Sequence, residues 1–376
     1  MSNKSSTQTT PKSESIFQKR WNNFKKIKRA YYSLILLGFL YLLSFLAPLL
    51  VNNKPIVVSY NGGTYFPAFA DLFGGILPVS YKDAAFYGQT ELFGRPHQGA
   101  PHFRELKKQW KSQSTGNNNW MLMPLYPYDP VEVLSFEEAG NRGFPTPPDG
   151  QNILGTDKKG RDVFARVVYG FQISITLALI VVFFSKLIGI LVGGALGYYG
   201  GKLDIYALRF IEVFSFVPFL FMVMILVQFI KPNLFFLAML LVILGGWIGT
   251  TYYVRAEYYR EKSRDYVSAA KAMGASDFKI MYQHILPNAL TPVITFIPFS
   301  IVGSITSLVG LDFLGFGLQP PTPSWGELIQ QGMDDIKEYW LIMTPLVMMF
   351  FTLTTITFIG EGIRQAFDPR NYSRLR

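Results

Sequence analysis

The feature that most limits how this chain can fold is a set of six apolar runs, each about 20 residues long. They are Tyr31 to Val51, Ile173 to Tyr198, Ala207 to Ile230, Leu234 to Tyr253, Ala289 to Val309 and Tyr339 to Ile359. As a helix, a run of that length crosses roughly 30 Å of hydrocarbon. Inside a bilayer the backbone must pair its own N–H and C=O groups, which a helix does within one segment. Composition agrees: 49% of residues are hydrophobic, 16% aromatic and 16% charged, whereas soluble domains carry about a quarter charged residues. The expected class is an all-α integral membrane protein with six transmembrane helices. The first run has the basic flank of a signal peptide. It is longer than an h-region and has no small-x-small cleavage site, so an uncleaved anchor is expected.

Charge placement orients these spans. The net charge of +10 raises nucleic-acid binding as a rival, but the excess precedes an apolar run, as a positive-inside signal does. Lys4, Lys12, Lys19, Arg20, Lys25, Lys26, Lys28 and Arg29 fill the N-terminal tail. Arg255 to Lys279 forms a second basic block, and Arg364, Arg370, Arg374 and Arg376 a third. Six spans put all three on one side, which predicts cytoplasmic termini. Between the first two runs the chain is polar, charge-balanced and rich in Pro, Gly and Asn, as suits a translocated segment. Alternation over Ile56 to Tyr60 predicts strands there. The expected division is a basic tail over 1–30, a first helix over 31–51 and an extracytoplasmic segment over 52–170. A transmembrane unit follows over 171–365, with a cytoplasmic loop over 255–287, and a short tail over 366–376.

That loop interrupts the spans with Asp265, Lys271, Asp277 and Lys279. Glu257 to Met273 reads as a helix, and Gly274 supplies the positive-φ residue that ends one. Ser276 offers a cap and Asp277 a favourable first-turn charge for a second, short helix. Phe278, Met281, Tyr282 and Ile285 give it an apolar stripe, and Pro287 is expected to stop it. Such a pair of helices either rests on the membrane surface or docks into a partner's groove.

Other candidate features point away from chemistry within the chain. Gly155 to Asp162 has the glycine spacing of a phosphate loop, but Arg161 and Asp162 stand where Lys and Ser/Thr are needed. Asp157, Arg161 and Asp162 are expected to form local ion pairs or caps. His97, His102 and His284 do not make a metal set, and the absence of cysteine excludes thiolate sites. Asp334 and Asp335 are adjacent in sequence with nothing to position them around a substrate. Lys186 is an intramembrane charge, hence a functional candidate, although it can also snorkel. Pro218 is expected to kink the third span, and Arg209 with Glu212 to pair on a helix surface. Gly193, Gly194 and Gly197, and Gly245, Gly246 and Gly249, are expected to allow close helix packing.

Ala269-Ala270, Gly274 and Leu286-Pro287 resemble the EAA signature of importer-type ABC permeases, with Ser268 and His284 departing from it. The stretches LGTDKKGRDVFARVVYG (Leu154 to Gly170), LDFLGFGLQPPTPSWGEL (Leu311 to Leu328) and FDPR (Phe367 to Arg370) resemble the dipeptide and oligopeptide permease branch. KPIVVSYNGGTYFPAF (Lys54 to Phe69) is similar to Yej-type permeases, which import peptides and microcin C. The resemblance implies a type I importer permease fold with a large mixed insertion after the first helix. It implies a second permease subunit, two ABC ATPase subunits or one fused ATPase, and an extracytoplasmic peptide-binding protein. ATP and Mg²⁺ would be bound by the ATPases; this chain would hold no cofactor or metal and have no catalytic residue. The loop residues Ala269, Ala270, Gly274, Ser276, Asp277, Phe278, Met281, Ile285, Leu286 and Pro287 would meet the ATPase. Asp312, Phe313 and Trp325 would face the receptor, and Pro218 and Lys186 are gate candidates. Placement in a bacterial inner membrane follows. The rivals are a stand-alone secondary transporter or channel, and a membrane-anchored assembly factor.

Overall fold

The computed structural model describes residues 16–60, 63–72, 91–92, 95–96, 102–112, 119–230 and 232–367. Lys4, Lys12, His97, Lys231 and the closing 368–376 lie outside them. The chain enters as α1 (Ile16–Lys26), turns through 98° at Ile27, and continues as α2 (Lys28–Ser44) and α3 (Ala47–Leu50). α1 packs Phe24 against Gly362, and Arg20 lies over the Phe367 ring at 4.4 Å.

The outer segment holds β1 (Val57–Tyr60), β2 (Gly63–Tyr65), α4 (Pro67–Leu72), β3 (Glu91–Leu92), β4 (Arg95–Pro96), α5 (Phe103–Ser112) and β5 (Trp120–Leu122). β1 is central in a three-stranded antiparallel sheet, pairing Val58 with Tyr65 on one side and Met121 on the other. α5 covers it, so Val58, Phe103, Leu106 and Met121 form a small core. The strand expected over Ile56 to Tyr60 is β1. Arg104 anchors α5 by pairing with Glu132 at 2.7 Å and Glu138 at 2.8 Å. This unit joins the spans at Tyr126, whose hydroxyl donates to Asp162 at 2.7 Å and whose backbone bridges to Val51.

α6 (Val163–Tyr199) is a 37-residue helix, about 55 Å long and so longer than the bilayer core is thick. It begins ten residues before the apolar run that predicts it. Asp162 caps it, accepting from the Ala165 amide at 2.8 Å, and Arg166 is buried in its first turns. Burial pushes the Asp162 carboxyl above its ordinary range, against hydrogen bonds from Ala165, Asn152 and Tyr126. Next come α7 (Gly201–Ser215) and α8 (Phe219–Phe229), bent by 74° where Pro218 leaves no amide to continue the ladder. α9 (Leu234–Leu241) passes through a π-turn (Val242–Gly246) into α10 (Ile248–Lys262), bent by 49°. Gly245 takes φ +156 there, a conformation that side chains rarely adopt.

α11 (Asp265–Ala272) and α12 (Asp277–Lys279) form the helix pair between the fourth and fifth apolar runs, and a second π-turn (Ile280–Ile285) leads into α13 (Leu286–Phe313). α14 (Trp325–Met333) and α15 (Tyr339–Phe367) complete the chain. Three helical stretches, Val163–Tyr199, Asp277–Phe313 and Tyr339–Phe367, are long and apolar enough to cross a membrane, or up to six if each bent pair is one span.

Close approach of α6 and α10 organises the bundle. A methyl group at Gly193 would lie 2.5 Å from the Thr251 carbonyl, and one at Gly197 would lie 2.6 Å from that of Arg255. Gly194 faces Tyr258, so this glycine set packs as expected. In the second set only Gly246 packs closely, against Ser185. Gly245 serves the backbone turn and Gly249 meets nothing within 4 Å, so packing explains neither.

Candidate functional site

The loop over 255–287 is built from local caps upward. The helix expected over Glu257 to Met273 is two helices, because Arg264 is extended at φ −81, ψ 148 between α10 and α11. Gly274, at φ +82, follows α11. Its amide donates to the Lys271 carbonyl at 3.0 Å and that of Ala275 to the Ala270 carbonyl at 3.1 Å, a complete Schellman end. Ser276 caps α12 by accepting from the Lys279 amide at 3.4 Å.

Pro287 does not stop the short helix. Chain 277–313 is one continuous helical run, and the π-turn over Ile280–Ile285 directly precedes the proline. An α-helical turn would press the proline ring on the carbonyl four residues back; the wider turn relieves that contact. The same turn redistributes the expected apolar stripe. Ile280 and Ile285 are fully buried with Val267, Ala270 and Ala289, and Met281 packs partly against them. Phe278 and Tyr282 point outward, 77% and 60% exposed, their rings stacked 6.0 Å apart. Met273, 82% exposed, joins them, as do Ala269 and Ala272.

Hydrogen bonds fix this loop to the spans. The Tyr198 hydroxyl at the end of α6 donates to Asp277 at 2.5 Å, and Lys262 donates to the Tyr198 carbonyl. The Tyr258 hydroxyl donates to the Met281 carbonyl at 3.2 Å. Asn288 donates to the Tyr266 hydroxyl, which donates to Glu261 at 2.8 Å. Of the residues departing from the family signature, Ser268 is exposed and His284 half-buried.

At the opposite end, the segment Gly155 to Asp162 folds over the bundle. Arg161 donates to Asp157 at 2.7 Å and to Glu327 at 2.8 Å; Arg166 pairs with Glu327 at 2.5 Å. Burial raises the Glu327 carboxyl, but Arg166, Arg161 and Lys159 hold it below its ordinary range. The expected ion pair and cap are both present, whereas Glu327 went unnoticed in the sequence. Its signal was the capping pattern Ser324-x-x-Glu327. Asp312 and Trp325, expected on the receptor-facing surface, are 5% and 0% exposed. Asp312 accepts from the Leu318 amide at 2.7 Å and the Ser324 hydroxyl at 2.5 Å, and the Trp325 indole donates to the Val167 carbonyl at 3.1 Å. Their work is internal. Phe313 is half-buried beside them.

Between the two ends, Lys186 is 9% exposed and donates to Thr250 at 3.2 Å and Tyr253 at 3.0 Å. It lines a cavity of about 350 Å³ together with Phe219, the residue after Pro218. Arg209 and Glu212 pair at 2.7 Å on the exposed face of α7. Among the described residues no cluster of His, Cys, Asp or Glu is arranged to hold a metal.

Long apolar helices, glycine-packed and joined by a loop with exposed apolar side chains, define a helical membrane protein. Residues 187–371 match the family described as binding-protein-dependent transport system inner membrane component, and 15–67 match the N-terminal TM domain of oligopeptide transport permease C. The inner membrane ABC transporter permease protein YejE of Escherichia coli is 39% identical over 94% of this chain and 97% of its own. The peptidoglycan transport system permease protein YejE of Agrobacterium fabrum is 37% identical over 95% and 94%. The dipeptide transport system permease protein DppC of Bacillus subtilis is 33% identical over 60% and 70%. Among solved structures, the inward-facing MetNI methionine ABC transporter is 17% identical, with TM-score 0.44, over 54% of this chain and 96% of that one. The chain belongs to the binding-protein-dependent transport permeases, the inner-membrane subunits of ABC transporters.

Proposed function

We propose that this chain is one transmembrane subunit of an ATP-driven importer of oligopeptides or peptide-like compounds. It has six spans, three of them bent, with both termini cytoplasmic. It pairs with a second permease to form the pathway, which an extracytoplasmic binding protein loads. ATP and Mg²⁺ are bound by two ABC ATPase subunits, or one fused ATPase, and hydrolysis occurs there rather than in this chain. The peptide cargo rests on the names of two relatives, a peptidoglycan permease matched over 95% of this chain and a dipeptide permease matched over 60%.

The observation that carries the coupling role is the division of the cytoplasmic loop into two faces. One face, Ile280 and Ile285, is locked into the bundle; the other offers Met273, Phe278 and Tyr282 to a partner. Exposed aromatic side chains held on a short, capped helix suit insertion into a groove. Asp277 ties that helix to α6, and the run from Asp277 to Phe313 continues it into a span. A displacement imposed by the ATPase is thereby passed to two spans at once.

Purification from native membranes, with identification of the associated chains, tests this reading. Recovery with a second permease and ABC ATPases is expected. A chain recovered alone that transports without ATP would establish the stand-alone transporter instead.

A further inference from the structure

The cavity beside Lys186 has features that packing does not explain. Among the described residues Lys186 has no carboxylate partner: its ammonium meets two hydroxyls, and the Tyr253 ring at 5.6 Å. A buried charge within a span is ordinarily paired, and an unpaired one marks a functional position. The next residue back, Ser185, is 4% exposed and its hydroxyl has no hydrogen-bond partner. Both line the same cavity.

The facing wall comes from α13, where Ser300, Gly303, Ser304 and Ser307 recur at spacings of three and four and so share one helix face. The Ser300 and Ser304 hydroxyls donate to the carbonyls four residues back, at 3.0 and 2.9 Å. Their hydrogens are thus engaged, and their lone pairs remain for a donor. Gly303 and Ser307 are exposed at the cavity's edge, a surface poorly suited to lipid. One wall therefore presents a cation and the other presents acceptors.

We infer that this cavity binds the peptide in transit, Lys186 holding its terminal carboxylate and the α13 serines accepting from its N–H groups. The inference rests on the importer reading and adds the part of the cargo that is held and the residues that hold it.

Because the chain has no cysteine, Ser304→Cys places a single thiol in this subunit. In the assembled transporter in nanodiscs, its modification by an anionic sulfonate-bearing and a cationic trimethylammonium-bearing methanethiosulfonate is followed by the mass of this chain. With each rate divided by that of the same reagent with a free small thiol, the anionic reagent is expected to react about tenfold faster, as a local cation concentrates anions. Lys186→Met should abolish that preference and Lys186→Arg should keep it. Trialanine should slow modification with Lys186 present and not in Lys186→Met, whereas trialanine amide should protect neither. Equal rates for the two reagents, or trialanine protection that survives Lys186→Met, would overturn the assignment, as would equal protection by the amide. The two readings fail separately. A preparation lacking ATPases and second permease refutes the importer, whereas a complete complex without charge preference refutes only the carboxylate site.

Discussion

The two ends of this bundle are held by different physics. At the outer end, Asp157, Arg161, Arg166 and Glu327 pair with one another inside the chain. At the opposite end, Tyr198, Asp277 and Tyr258 fix a loop whose Met273, Phe278 and Tyr282 remain exposed. The first is a closed network, whereas the second leaves an apolar face exposed. A defect at the outer end should therefore act on folding, and a defect in the exposed loop face on assembly.

The largest expected effect is at Glu327. Glu327→Ala leaves Arg161 and Arg166 without that carboxylate, and breaking such a buried pair costs about 3–5 kcal/mol. Thermal unfolding of the detergent-purified subunit should register it; an unchanged Tm would mean that the outer network does not hold the fold. Phe278→Ala comes next. Loss of a central aromatic anchor weakens an interface by about 2 kcal/mol, so ATPase retention on purification should drop severalfold. The subunit's own Tm should stay, since Phe278 is exposed. A fall in Tm with full ATPase retention would reverse the comparison.

Gly274→Val forces a β-branched residue to φ +82, a strain on the order of 1–3 kcal/mol. Expression should persist while ATP hydrolysis continues with reduced uptake, and normal uptake would count against the loop as transmitter. The smallest effect is that of pH. The folded pKa of Glu327 lies below its ordinary value of 4.5. Its stabilisation is therefore fully present above that value and is lost as pH falls through the lowered one. The Tm gap between wild type and Glu327→Gln should hold from neutrality down to about pH 4.5 and narrow below it. A gap that widens in acid would mean that the sign is wrong.

How much of this was legible depended on the range of the interaction involved. The apolar helices, Gly274 and Ser276 are set by hydrophobicity and by chemistry within a few residues, and they read directly. The start of α6 did not, because Arg166 looks like the end of an apolar run until Glu327 neutralises it from 161 residues away. Asp312 and Trp325 carried no local sign of burial, since Ser324 and the Val167 carbonyl that satisfy them belong to other segments. Pro287 misled for another reason: a π-turn has no residue signature, so the proline looked like a terminator. The break at Arg264 did have a local sign, since its neighbours Ser263 and Asp265 favour caps and turns over helix interiors.

The contact of α1 with α15 has a consequence for biosynthesis. Phe24 and Ala30 sit in one cluster with Ile359 and Ala366, so the first span, which also packs on α6 through Tyr41 and Thr176, gains this part of its surface only when the last has been made. At roughly 5–20 residues per second, the intervening stretch keeps the ribosome occupied for about 15 to 70 s. Throughout that interval α2 stands in the membrane without its final neighbour on this side.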